Sequence, residues 1–203
     1  SYDECSNTVV LVPPSTGMAS HSRVLGIKLD AKRNATVQFQ TVMADTEALS
    51  LTIPRTSTCN DNTLWVTAQT KSAVSLVPID TASGKIATNR TVTIAETMDD
   101  RVVAATRTAS AFDSNGTTVF VTVLGAKSTH ECKTWLSVVK TSASGKVSKL
   151  HSRFDVPLRN CSSVSEIDAL ANTQIVDVNS SALVAAVGGD LFVINFEAPP
   201  PSL

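Results

Sequence analysis

Residues 64–85, LWVTAQTKSAVSLVPIDTASGK, are echoed at residues 119–146 by VFVTVLGAKSTHECKTWLSVVKTSASGK. Each copy has an apolar start reaching Val-Thr, a variable middle, a second apolar run and the ending Ala-Ser-Gly-Lys. Thr63–Thr67 matches Thr118–Thr122 at an offset of 55, whereas Asp80–Ile86 matches Thr141–Val147 at an offset of 61. The six-residue difference is an insertion between the two runs, in the polar stretch KSTHEC. An earlier copy, VLGIKLDAKRNATV, sets Asp30 where Asp80 stands, and a later copy is LFVINFEAPP. A chain that repeats a unit this short must bury the unit against its own neighbours.

The units are strand-like. Short apolar runs rich in Val, Ile and Thr recur along the chain, separated by turn residues. They include NTVVLV, RVLGIKLD and ATVQFQTVM, then ALSLTI, TLWVTAQ, AVSLVPID and TVTIAE. RVVAATRTASAF, TVFVTVLG, TWLSVVKT and KLHSRFDV continue the series to residue 156, and EIDALANTQIVDV, SALVAAVG and DLFVINFE complete it. Ser and Thr supply about a quarter of the 203 residues and only 17% are charged, a composition weighted to β-branched and small polar residues that pack well on pleated surfaces. The only weak helical candidate, MADTEALS, is discounted.

Four units of roughly 50–60 residues, each carrying up to four strands, predict an all-β fold: a β-propeller of about four blades, closed or part of a larger ring. The first unit has no clear first strand and the last has no clear fourth: either Tyr2–Ser6 and the C-terminal tail complete these blades, or the chain is part of a larger ring. The alternative is a pair of β-sandwich domains divided near residues 97–100, which the offsets of 55 and 61 disfavour. Residues 1–198 are expected to form a single propeller-like domain, with 199–203 opening a Pro-rich linker or tail. The start at SYDECSNT suggests a processed or trimmed end, and APPPSL suggests that more sequence follows.

LWVTAQTKSAVSLVPIDTASGKI resembles the YVTN-type β-propeller repeat of surface-layer and secreted propellers, in which a strand ending in Val-Thr is followed by an apolar strand ending in Ile-Asp and then Thr-x-x-Gly-Lys. Residues 64–86 carry the pattern; residues 119–147 carry it with the insertion and with Thr141 in place of the Asp. The resemblance implies a propeller fold and an extracellular or cell-surface setting.

Physical chemistry explains the turn that ends the motif. Asp80 can accept backbone N–H bonds from the residues that follow it. Gly84 and Gly145 can adopt the left-handed conformation without steric cost. Lys85 and Lys146 put a charge where a sheet edge needs protection from pairing. Ser-Gly-Lys is not a phosphate-binding loop, because Ile79 stands where the first Gly belongs and Ile86 where a metal-binding hydroxyl belongs.

The compartment is legible in two residue types. Asn34, Asn89, Asn115, Asn160 and Asn179 each begin an Asn-X-Ser/Thr sequon. Ten Asn residues in a chain this rich in Ser and Thr would give about two or three by chance. All five fall at turn-like or polar positions, where a glycan can be carried. Cys5, Cys59, Cys132 and Cys161 are even in number and contain no C-x-x-C pair, which favours disulfides over zinc. Four cysteines allow three pairings. In the propeller arrangement Cys5 and Cys59 lie on one rim of adjacent blades and Cys132 and Cys161 share the other, which predicts Cys5–Cys59 and Cys132–Cys161.

The net charge of −1 and the lack of a basic patch argue against nucleic-acid binding. No apolar run approaches the roughly 20 residues that span a bilayer. His21, His130 and His151 fall in no metal-binding spacing: His130-Glu131 opens like a zincin motif but no His follows four residues on. Asp99-Asp100 and DSNGT at 113–117 lack the further acidic ligands of a calcium loop. No G-x-S-x-G nucleophile motif occurs. Trp65 and Trp135 are expected to pack in the core, with glycan stacking as the other role for them.

These features predict a non-enzymatic, secreted, N-glycosylated and disulfide-bonded structural or interaction module of the cell surface or extracellular matrix, with no cofactor beyond its glycans. Its partners are expected to be other extracellular proteins, copies of itself, or glycans. The alternative is a lectin-like propeller with sites beside its aromatic residues. A propeller hydrolase or lactonase would instead need His, Glu and Asp clustered in a central channel.

Overall fold

The computed structural model describes residues 2–13, 21–32, 34–53, 63–70, 72–96, 102–112, 118–127, 132–141, 147–156, 174–178, 182–187 and 190–195. Beyond residue 94, the side chains described are those of Val139, Ala182, Val184, Leu191, Val193 and Asn195. The protein is all-β: the described residues hold antiparallel strands, one short 3-10 turn at Thr88–Arg90, and no α-helix. The chain divides into two compact units, Ser1–Thr93 and Ile94–Leu203.

The first unit opens with a four-stranded meander of β1 (Tyr2–Asp3), β2 (Thr8–Leu11), β3 (His21–Leu29) and β4 (Ala35–Ala44). The short β1 pairs with β2 through Tyr2↔Val9 and Asp3↔Thr8, so the first unit takes its fourth strand from within Tyr2–Ser6, one of the two alternatives the sequence offered. MADTEALS holds a corner rather than a helix: β4 ends at Ala44, Asp45 takes a positive φ of 50°, and the next strand begins at Glu47. A second meander follows, with β5 (Glu47–Thr52), β6 (Thr63–Gln69), β7 (Ala73–Asp80) and β8 (Val92–Glu96) in that order. β8 crosses the boundary between the two units.

Alternation places one face of the first sheet on the second. Val10, Val24, Phe39 and Met43 from the first sheet form one buried cluster with Leu64, Val66, Ala68, Val77 and Ile79 from the second. A half-solvated antiparallel strand alternates buried and exposed residues. β6 does not: Thr63 through Ala68 are all buried. Residues of the opposite parity, Trp65 and Thr67 on β6 and Val74 and Leu76 on β7, are as buried as the cluster. Both faces of β6 and of most of β7 are therefore dry, which accounts for the run of Leu, Trp, Val and Ala.

The second unit contains a meander of β9 (Val102–Phe112), β10 (Thr118–Lys127), β11 (Cys132–Thr141) and β12 (Val147–Val156). A three-stranded sheet of β13 (Gln174–Val178), β14 (Ala182–Val187) and β15 (Asp190–Asn195) follows among the described residues.

The two copies of the repeat are the hairpins β6–β7 and β10–β11. The first pairs Thr63↔Asp80 at its open end and runs to Gln69↔Val74. The second pairs Thr118↔Thr141, reaches the equivalent Leu124↔Trp135, and continues through Gly125↔Thr134, Ala126↔Lys133 and Lys127↔Cys132. Three added rungs take up the six inserted residues. Insertion of equal numbers on both strands leaves every earlier pair on its original face, because side chains alternate with a period of two.

Candidate functional site

The ending of the repeat, Asp80–Lys85, is the most fully determined polar feature of the first unit. Asp80 Oδ1 accepts from the backbone N–H of Ala82 at 3.1 Å and of Ser83 at 2.6 Å, and from the Ser83 hydroxyl at 2.7 Å. Gly84 N–H donates to the Asp80 carbonyl at 2.8 Å, and Asp80 N–H donates to the Lys85 carbonyl at 3.0 Å. These donors, the Ser83 hydroxyl first, hold the Asp80 carboxyl below its ordinary range. Gly84 has φ 71°, in the left-handed region. Asp30 starts the equivalent turn of the first sheet: its Oδ1 accepts from Lys32 N–H at 2.8 Å and Asn34 N–H at 2.7 Å.

The Asp80 turn also seats on the first sheet. Thr41 Oγ1 donates to the Gly84 carbonyl at 2.5 Å, and Gln38 Nε2 donates to the Ala82 carbonyl at 3.2 Å. Gln38 is in turn oriented by Thr8, whose hydroxyl donates to Gln38 Oε1 at 3.0 Å. Next to the glycine lies Phe39, whose ring also covers Gly26 on the neighbouring strand. Thr81 is fully buried and donates to Asp3 Oδ2 at 3.1 Å. Asp3, itself buried, accepts from Cys5 N–H at 3.1 Å and the Ser6 hydroxyl at 2.5 Å. The sequence marked Asp80 and Gly84; it gave no signal for Asp3, Gln38, Phe39 or Thr41, whose roles come from contacts far along the chain. This arrangement can clamp two sheets together. Its carboxylates are occupied by hydroxyl and amide donors.

Trp65 is 1% exposed, and the Arg90 guanidinium lies 5.5 Å from its ring centroid. Arg90 Nη1 also approaches Thr63 Oγ1 at 3.4 Å. Trp65 thus has the core position expected of it, capped by a cation. A bound sugar could not stack on it without displacing Arg90.

Of the sequon asparagines, Asn34 and Asn89 are described, and both are exposed. Asn34 closes the turn before β4, with Nδ2 donating to Asp30 Oδ2 at 2.8 Å. Asn89 is the middle residue of the 3-10 turn. Asn115, Asn160 and Asn179 lie outside the described residues. Cys5 is exposed and disulfide-bonded. Cys132 opens β11 opposite Lys127, with its side chain outside the description, as are Cys59 and Cys161. His21 is exposed and its Nδ1 accepts from Asp45 N–H at 3.2 Å, a corner role. His130, Asp99, Asp100 and residues 113–117 lie outside the described residues.

Among the described residues no three His, Cys, Asp or Glu side chains are grouped to hold a metal ion. No helix among them is long and apolar enough to cross a membrane. No family model and no curated protein matches the chain.

Proposed function

We propose that this protein is a secreted, N-glycosylated, disulfide-bonded module that acts by binding other extracellular proteins or copies of itself, without catalysis. The observation that carries the reading is a coincidence of chemistry. Both described sequon asparagines stand exposed at the ends of sheets, where an oligosaccharide has room, and Cys5 is engaged in a disulfide. Neither feature has a use in a reducing compartment.

Within that reading residues 1–198 form one β-propeller-like domain whose meanders are its blades, neighbouring blades being linked by Cys5–Cys59 and Cys132–Cys161. Support for blades over a two-layer sandwich comes from β6 and β7, central strands buried on both faces, as those of a stacked blade must be. A sandwich layer keeps one face in water.

Expression through a eukaryotic secretory pathway tests the proposal. Intact mass before and after enzymatic glycan release, with non-reducing peptide mapping, should give occupied sequons and two disulfides. A secreted product with free thiols and bare asparagines would overturn the reading. A Cys59–Cys132 linkage would overturn the blade assignment alone.

A further inference from the structure

The face of the first sheet that points away from the second is apolar and open. The register aligns Tyr2 with Val9, Val9 with Ile27, and Ile27 with Val37, one residue from each strand. The next row on the same face holds Leu11, Leu25 and Gln40, and the row after it Arg23 and Val42. Val9, Leu25 and Ile27 are half-buried, whereas Tyr2 is 50%, Leu11 43%, Val37 67% and Val42 53% exposed. A sheet face that stays in water is polar where the core face is apolar. This one has the composition of a face that is covered.

Glycosylation leaves this face clear. Asp30 N–H donates to the Asn34 carbonyl at 3.1 Å, so the two residues stand opposite each other. Each is an odd number of residues from the Ile27–Val37 rung, and the Asn34 side chain therefore leaves from the opposite face. The face also fits itself. A twofold axis parallel to the strands, between β2 and β3, sets β1 over β4 and β2 over β3 of a second copy. Tyr2 then lies over the partner's Val37, Val9 over the partner's Ile27 and Leu11 over the partner's Leu25. Arg23, Gln40 and Val42 have no register partner on β1 or β2 to lie under and fall at the rim, where the guanidinium stays hydrated.

We propose that this face is the docking surface for a second copy of the chain, forming a weak symmetric dimer in which Tyr2 of each copy packs on the partner's Val37. The inference rests on the reading of a non-catalytic interaction module given above and names its partner. The two sheets pack aligned, about 10 Å apart, each covering the apolar rows of the other. The nine residues of β3 span about 30 Å and four strands about 19 Å, so two copies bury at most ~1,000 Å², the lower limit of a specific interface. An interface of that size gives a dissociation constant of about 10–100 µM.

The test uses the full chain secreted in glycosylated form. In sedimentation velocity the parent should move from the mass of one chain toward that of two between ~1 and ~100 µM. Val37→Glu and Tyr2→Lys, both at exposed positions, should each weaken association at least about ten-fold, because each buries an unpaired charge against an apolar partner. An equimolar mixture of the two variants should associate again. In the mixed dimer the introduced carboxylate meets the introduced ammonium, and the other contact remains Tyr2 on Val37. Val42→Lys, at the rim, should leave association within about two-fold of the parent. A parent that stays monomeric at ~100 µM overturns the proposal. So does a dimer that both variants leave intact, a mixture that stays monomeric, or a Val42→Lys variant as weak as Val37→Glu. With glycans and two disulfides found by mass spectrometry, the secretory reading stands in each of these outcomes. The predicted pattern in a chain with bare asparagines and free thiols overturns that reading alone.

Discussion

Phe39 packs so closely on Gly84 that a β-carbon built at residue 84 would stand 2.5 Å from Phe39 Cβ. Gly84 is fixed twice over, by this contact and by its φ of 71°. The contact joins the turn of one sheet to a central aromatic residue of the other, so the turn and the cluster beneath it depend on each other.

Gly84→Ala should therefore destabilise the protein by about 1–3 kcal/mol, read as a lowered urea midpoint at unchanged slope. Phe39→Ala in the same chain would remove the ring contacts at 2.7 and 2.8 Å but leave the Cβ contact and the left-handed strain, so the double variant should not regain parental stability. A midpoint for Gly84→Ala equal to that of the parent would show that the turn shifts freely away from Phe39.

Asp80 gives the turn a pH dependence. Its folded carboxyl lies below the ordinary value of 3.8 because the Ser83 hydroxyl and the Ser83 and Ala82 amides favour the charged form. A depressed folded pKa contributes stability that is fully present above the unfolded value and is lost as pH falls through the folded one. Unfolding midpoints should thus decline below pH ~4 more steeply in the parent than in Asp80→Asn. The exposure of this turn keeps the difference small. Parallel acid profiles for the two proteins would remove Asp80 from the account.

Arg90 covers the Trp65 ring. Arg90→Ala should cost about 0.5–2 kcal/mol and shift the Trp65 emission to longer wavelength as water reaches the ring, measured in a Trp135→Phe background. Arg90→Lys should recover little, because the flat guanidinium both stacks on the ring and reaches Thr63. An unshifted spectrum for Arg90→Ala would place the burial of Trp65 with its other neighbours alone.

Much of the fold is legible in the residues. The alternation of Thr8–Leu11 and Val24–Leu29, the turn chemistry of Asp30 and Asp80, and the left-handed Gly84 are local matters, decided by side chains within a few positions of one another. The clamp escaped, and β1 was legible only as one of two alternatives. Tyr2–Asp3 is too short to show a period, and its pairing is set by β2. Asp3 reads as a surface acid until Thr81, 78 residues away, is brought to it. The candidate site shared this fate: sequons and cysteines announce themselves by spacing and count, but the contact of Phe39 with Gly84 exists only through the packing of one sheet on another.

The sequence by itself determined the strand-and-turn repeat and the even insertion in its second copy, because periods of two and the conformational needs of Asp and Gly act over a few bonds. The tertiary structure decided which faces became dry, which threonine met the buried Asp3, and why residue 84 has no room for a side chain. Those outcomes depend on sheets meeting face to face, and the closeness of that packing is a property of distant residues brought together.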